Sequence, residues 1–202
     1  MDKFLAATEV VDWSEPQVLE QARRLGEGCG SVEAIAKSCF EWVRDEIKHS
    51  SDYQLNPLTC KASDVLRYGT GYCYAKSHLL AALLRANKIP AGFCYQRLSV
   101  DDTGAPYCLH GFNAVSLPGI GWYRVDARGN KNTVNAQFTP PVESLAYSIQ
   151  FPDEETTFAG ILPEPLPLIV DFLNHPRTWD EARKSLPDIS WRDAEIRGLT
   201  RT

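Results

Sequence analysis

Apolar positions recur at helical spacing through the first ninety residues and change to alternation afterwards. Thr8 to Trp13 predicts a short strand. Val18, Leu19, Ala22 and Leu25 then predict a helix that Ser14-Glu15-Pro16 would open, with Ser14 as cap and the proline early. Gly26, Gly28 and Gly30 break that pattern. Ser31 is placed to cap a second helix, which carries Ile35, Cys39, Trp42, Val43 and Ile47 on one side and mostly charged residues on the other. Residues 49–62 read as a polar, irregular connection, and Ser63 as the cap of a short helix from Asp64 to Arg67. Gly69 and Gly71 permit a sharp turn into a third long helix, where Ala75, Leu79, Leu80, Leu83, Leu84 and Ala86 predict one broad buried face. Pro90 limits that helix, near Asn87 and Lys88.

Past Pro90 the period becomes two. Ala91 to Val100, Tyr107 to Leu117 and Trp122 to Ala127 predict three strands, separated by turns at Asp101-Asp102-Thr103-Gly104 and Pro118-Gly119-Ile120-Gly121. Connections this short imply antiparallel neighbours. Helices followed by strands define an α+β class, with helices packed on an antiparallel sheet. The last quarter is punctuated by prolines. Helices through Leu168–Leu173 and Trp179–Leu186 are expected, with looser chain past about Arg192.

Length and charge narrow the function classes. A chain of 202 residues suggests one domain, and 21 basic against 26 acidic residues give a net charge of -5 with no basic run. That balance excludes a phosphate-tracking surface, so no nucleic-acid partner is expected. No apolar run is long enough to cross a bilayer, Met1 to Glu9 does not read as a signal peptide, and the cytoplasm is the expected location. Six cysteines at these spacings do not form a stapled scaffold, because a chain of this size buries a core unaided. Without a Cys-x-x-Cys or His-x-x-x-His pair, no metal is expected, and two carboxylates at Asp101-Asp102 are too few for calcium.

The candidate chemistry centres on Cys73. A thiol in the first turn of a helix meets the field of unpaired backbone N–H groups, which favours thiolate. His110 lies within the second strand and Asp126 at the end of the third. The turn near 118–121 gives pairing sums near 239 or slightly less, which puts His110 about opposite residues 126–129. A thiolate to attack an acyl carbon, an imidazole to move the proton and a carboxylate to orient the imidazole form a nucleophilic set. The backbone N–H of Cys73 is one candidate for meeting the oxyanion. Gln54 and Tyr53, in the preceding loop, are candidates for the second donor. His78 reads as a packing or capping residue, and His49 and His175 as surface.

Five segments in order carry a family resemblance. They are Phe40-Glu41-Trp42-Val43-Arg44-Asp45-Glu46-Ile47, then Ala62-Ser63-Asp64-Val65-Leu66 with Gly71-Tyr72-Cys73, then Leu79–Ala86 with Ile89-Pro90-Ala91, then His110-Gly111-Phe112-Asn113-Ala114, and finally Trp122-Tyr123-Arg124-Val125-Asp126. Over roughly residues 31–130 the chain resembles the transglutaminase-like superfamily, whose catalytic core is shared with papain-type cysteine proteases. Phe112 stands where the family often has Trp, and Ala127-Arg128 where it often has a small residue and Thr. The resemblance implies a papain-like fold with Cys73 as nucleophile, His110 as base and Asp126 as orienting acid. With the length and the proline-punctuated last quarter, the expectation is a single transglutaminase-like domain over residues 1–202, with a core of about 31–140 and a Pro-rich wrapping or lid segment at 141–202. The expected activity is acyl transfer or amide hydrolysis through a thioester on a peptide or similar amide, with no cofactor. The alternative is a binding module that kept the fold and lost turnover.

Overall fold

The computed structural model describes residues 1–175, 178–189, 193–194 and 199–200. A 3-10 turn at Asp2–Phe4 leads to helices α1 (Pro16–Gly26) and α2 (Val32–Glu46), the two-residue strand β1 (Lys48–His49) and the short helix α3 (Ser50–Tyr53). Helix α4 (Ala62–Tyr68), strand β2 (Thr70–Gly71) and helix α5 (Cys73–Ala86) follow. Strands β3 (Ala91–Ser99), β4 (Tyr107–Leu117), β5 (Gly121–Val125) and β6 (Thr156–Thr157) form an antiparallel sheet in the order β5-β4-β3-β6. Helices α6 (Pro167–Asn174) and α7 (Trp179–Arg183) close the described chain. The architecture is α+β, as the change of period predicts.

Local chemistry explains most element ends. Ser31 Oγ accepts from the Ala34 N–H at 3.1 Å and caps α2. Pro16 opens α1 at a position where its missing N–H costs nothing, although Glu15 rather than Ser14 occupies the cap. Ser63 does not cap α4. That helix starts two residues earlier than expected, with Lys61 at the cap, and the Ser63 hydroxyl and N–H both donate to the Asp12 carboxylate, at 2.5 and 3.0 Å. The strand expected at Thr8–Trp13 is absent: the Thr8 N–H donates to the Val11 carbonyl and its hydroxyl accepts from the Val11 N–H, making a turn that buries Val11. The connection at 49–62 is more regular than expected, because β1 and α3 lie at its start.

Helix α5 is the axis of the molecule. Helices α1, α2 and α4 pack on one side of it and strands β3 and β4 on the other. The expected single buried face is therefore a fully buried helix, with every side chain from Cys73 to Arg85 buried. Most of its polar side-chain atoms find partners, although His78 Nε2 does not. Arg85 donates to the carbonyls of Ala91, Ala6 and Pro163. His78 donates from Nδ1 to the Cys60 carbonyl at 2.8 Å, and burial lowers its pKa to about 4, so it packs as a neutral ring. Lys76 donates to the carbonyls of Arg44 and Ile47 at the C-terminal end of α2. Burial lowers its pKa to about 7.

Candidate active site

Two backbone features deliver Cys73 and His110 to one place. Gly69 takes a left-handed conformation, φ 65°, that ends α4, after which β2 runs parallel to β1 and leads directly into α5. Cys73 is the first residue of that helix, so its N–H has no acceptor within the helix. Across from it, Gly111 lets β4 press onto the first turn of α5. A Cβ at Gly111 would lie 2.8 Å from the Tyr74 ring, and the Tyr74 hydroxyl donates to the adjacent Leu109 carbonyl.

His110 lies near both of the other groups. Its Nε2 is 2.7 Å from Asp126 Oδ2, and Cys73 is close enough to act on the charge of its ring and lines the same cavity. The strand register agrees with the turn arithmetic: Asn113 faces Val125, and extending that pairing sets His110 near residue 128. β5 ends at Val125, so Asp126 turns off the strand and reaches the imidazole diagonally. Asp126 is held from both sides. Its Oδ2 also accepts from the Ala146 N–H at 3.0 Å, and its Oδ1 from the Arg128 N–H at 3.1 Å. The imidazole stacks on Phe112 at 6.0 Å and meets the edge of Tyr147 at 5.0 Å.

Burial by itself would push the His110 imidazolium toward the neutral form. The Asp126 carboxylate and Cys73 outweigh burial and raise the pKa to about 10. Burial alone would raise the Asp126 carboxyl, but the charge of His110 and the hydrogen bonds it accepts hold it below the usual carboxylate range. The raised His110 value has a definite stability sign. The folded state keeps a proton that the unfolded chain releases near 6.5, so the contribution is complete below about pH 6.5 and is lost as pH rises toward 10. Lys76, lowered from 10.5 to about 7, changes stability in the opposite sense over much of that window. The difference between wild type and His110→Gln should isolate the histidine: its stability advantage is expected to shrink between pH 6.5 and 10 in urea titrations, and a constant difference would contradict the ion pair.

Cys73 and His110 line a cavity of about 390 Å³. Leu98, Val100, Leu109 and Leu186 give it an apolar side; Arg128, Lys131 and Arg183 carry its positive charges. Asp52 balances two of these. Arg128 reaches both of its carboxylate oxygens, and Lys131 donates to Oδ1 at 3.0 Å. A separate, more open hollow of about 540 Å³ between Pro16, Leu19, Arg23 and Ala86 contains no nucleophile.

The C-terminal segment forms part of this wall. The Tyr72 hydroxyl donates to the Trp179 carbonyl at 2.8 Å, the Leu109 N–H to the Pro187 carbonyl at 2.7 Å, and Arg97 pairs with both oxygens of Asp188. The chain expected to loosen past Arg192 falls largely outside the described residues.

Gln54 and Tyr53 are not brought to this cavity. Tyr53 is 56% exposed, with its ring under the Lys48 ammonium, and Gln54 is an exposed residue in a left-handed conformation that ends α3. Four residues of helix turn them onto the outer side of the connection. His49 corrects the opposite expectation. It is 7% exposed rather than on the surface, and it lines the same cavity as Cys73. Its pairing with Gly71 across β1 and β2 puts it there, and a two-residue strand leaves no periodic signal in the sequence. His175 is exposed, as expected.

The sequence model of the transglutaminase-like superfamily matches residues 20–127, more than half of the chain. The protein belongs to that superfamily. Among curated proteins none matches the sequence. A solved structure of a candidate cysteine protease from Cytophaga hutchinsonii is similar at 21% identity with a TM-score of 0.51, over 62% of this chain and 40% of that one. The periplasmic domain of TgpA from Pseudomonas aeruginosa is similar at 20% identity with a TM-score of 0.46, over 61% of this chain and 45% of that one. The protein thus spans under half the length of either, and the first of them supports a shared fold.

Proposed function

We propose that the protein is a cysteine hydrolase or acyltransferase that cleaves a peptide or similar amide through a thioester on Cys73. The observation that carries this reading is one imidazole that is bonded to a buried carboxylate and lines the same cavity as the thiol. Cys73 attacks the acyl carbon. His110 passes a proton to the leaving amine and takes one from the incoming acceptor, and Asp126 holds the ring with Nε2–H toward its carboxylate. Water as acceptor gives hydrolysis; an amine gives transfer. No step in this scheme asks for a cofactor. The cytoplasm is proposed as its location, since six cysteines without disulfides suit a reducing compartment. Among the described residues no helix is long and apolar enough to cross a membrane.

Iodoacetamide separates this reading from a binding module. Burial pushes the thiols of Cys39, Cys60, Cys94 and Cys108 up to about 12, which keeps them protonated and slow to react. Cys73 is expected to be alkylated before the other five at pH 7, as read by peptide mass spectrometry over a time course. Labelling of Cys73 at or below the rate of the others would leave the binding module standing.

A further inference from the structure

The catalytic cavity contains a second imidazole that the triad does not use. The His49 side chain is 8% exposed and lines the cavity wall together with Cys73 and His110. Its Nδ1 is buried without a hydrogen-bond partner; the nearest carboxylate oxygen, Asp52 Oδ2, is 3.7 Å away, beyond bonding reach. Buried polar nitrogens are nearly always satisfied, and leaving one unpaired costs on the order of 1–3 kcal/mol. His78, the other buried histidine outside the triad, also leaves one ring nitrogen (Nε2) unpaired but is anchored to a carbonyl through Nδ1, whereas the His49 ring makes no hydrogen bond to the described residues and, unlike His78, lines the cavity.

The ring is nevertheless held in place. His49 pairs with Gly71 across the parallel β1–β2 contact, two residues before the nucleophile. Its ring meets the edge of Tyr72, the residue preceding Cys73, with centroids 5.4 Å apart. The groups that face it are Asp52, Arg128, Lys76 and His110. Burial, then the charge of Arg128, keep its pKa well below 6.5, so it is a neutral ring with one N–H at physiological pH. A neutral imidazole can donate that hydrogen to a developing negative charge without giving up the proton.

We infer that His49 is the second oxyanion donor, supplying a ring N–H that acts with the Cys73 backbone N–H on the tetrahedral oxygen formed when the thiolate adds to the acyl carbon. The assignment rests on the proposed acyl chemistry and fills the position for which Gln54 and Tyr53 lie too far out. The bond made is sulfur to carbon, the carbonyl electron pair moves onto oxygen, and it returns as the leaving group departs. His49 donates a hydrogen bond throughout and transfers no proton.

Two reactions of the same thiol test it. Alkylation by iodoacetamide displaces iodide at a saturated carbon and forms no oxyanion, whereas acylation by p-nitrophenyl acetate does. His49→Phe keeps a ring against Tyr72 and removes the donor. It is expected to slow the p-nitrophenolate burst by about 100-fold or more, the usual loss for one oxyanion donor, while Cys73 alkylation stays within about twofold. His49→Gln, whose amide N–H can enter the same space, should recover at least tenfold of the lost burst rate. Equal burst rates in wild type and His49→Phe would overturn the assignment and leave the enzyme reading intact. Parallel loss of burst and alkylation in both variants would make His49 a support for the loop instead, and overturn it too. Wild type with no burst at all would remove the enzyme reading, and this assignment with it.

Discussion

Replacing Cys73 by alanine is expected to reduce acyl turnover to background, a loss on the order of 10⁶-fold, with the fold retained. The size follows from removing the group that forms the covalent bond: what remains is binding and oxyanion stabilisation, which accelerate little without a nucleophile. The substitution removes one sulfur from a cavity wall rather than from the centre of the core, and alanine is the residue best suited to the first turn of α5. Thermal unfolding of Cys73→Ala should therefore lie within a few degrees of wild type. The pKa of His110 should fall, because Cys73 is one of the groups that holds the proton on the ring. NMR titration of the imidazole reads that directly. Turnover surviving in Cys73→Ala at more than a thousandth of the wild-type rate would place the nucleophile elsewhere.

Asp126→Ala should come second, at roughly 10⁴-fold in kcat/KM, close to what removal of the orienting acid costs in other triads. Two effects combine. The ring loses the acceptor 2.7 Å from Nε2, and with it the charge that outweighs burial, so His110 becomes neutral at lower pH and ceases to be an imidazolium beside Cys73. The Ala146 and Arg128 N–H groups also lose their acceptor, which should destabilise the fold by about 1–3 kcal/mol each. Asp126→Asn distinguishes orientation from charge. Its amide oxygen can still accept from Nε2–H, as in triads built with asparagine, so it should retain at least tenfold more activity than Asp126→Ala. Equal activity of the two variants would mean that charge alone matters, and wild-type activity in Asp126→Ala would remove this residue from the site.

How far the sequence reached depends on the range over which each signal acts. Ser31 as a cap and Pro16 at a helix start need only their immediate neighbours, and both are where the local pattern places them. Strand β4 matches its expected span because turn residues mark the chain on both sides of it. Ser63 failed as a cap because Asp12, 51 residues earlier, competes for its hydroxyl and N–H. The turn at Thr8–Val11 overrides a strand-like composition through one side-chain hydrogen bond. His49 and the pair Gln54 and Tyr53 show the limit most clearly. All three sit in one short polar stretch, and nothing local separates the residue that turns inward from the two that turn out.

The order of helices and strands, the start of α5 at a cysteine, and the turn arithmetic that sets His110 beside Asp126 were determined by the chain alone, because periodicity, capping and hairpin register are properties of neighbouring residues. Only the tertiary structure decided that α5 is buried on every side, that Gly111 lets β4 approach Tyr74, and that the cavity holds a second, unpartnered imidazole. These depend on contacts between segments tens of residues apart. Such contacts are set by how the elements pack around one axis, and a one-dimensional pattern carries no record of which of two adjacent side chains faces inward.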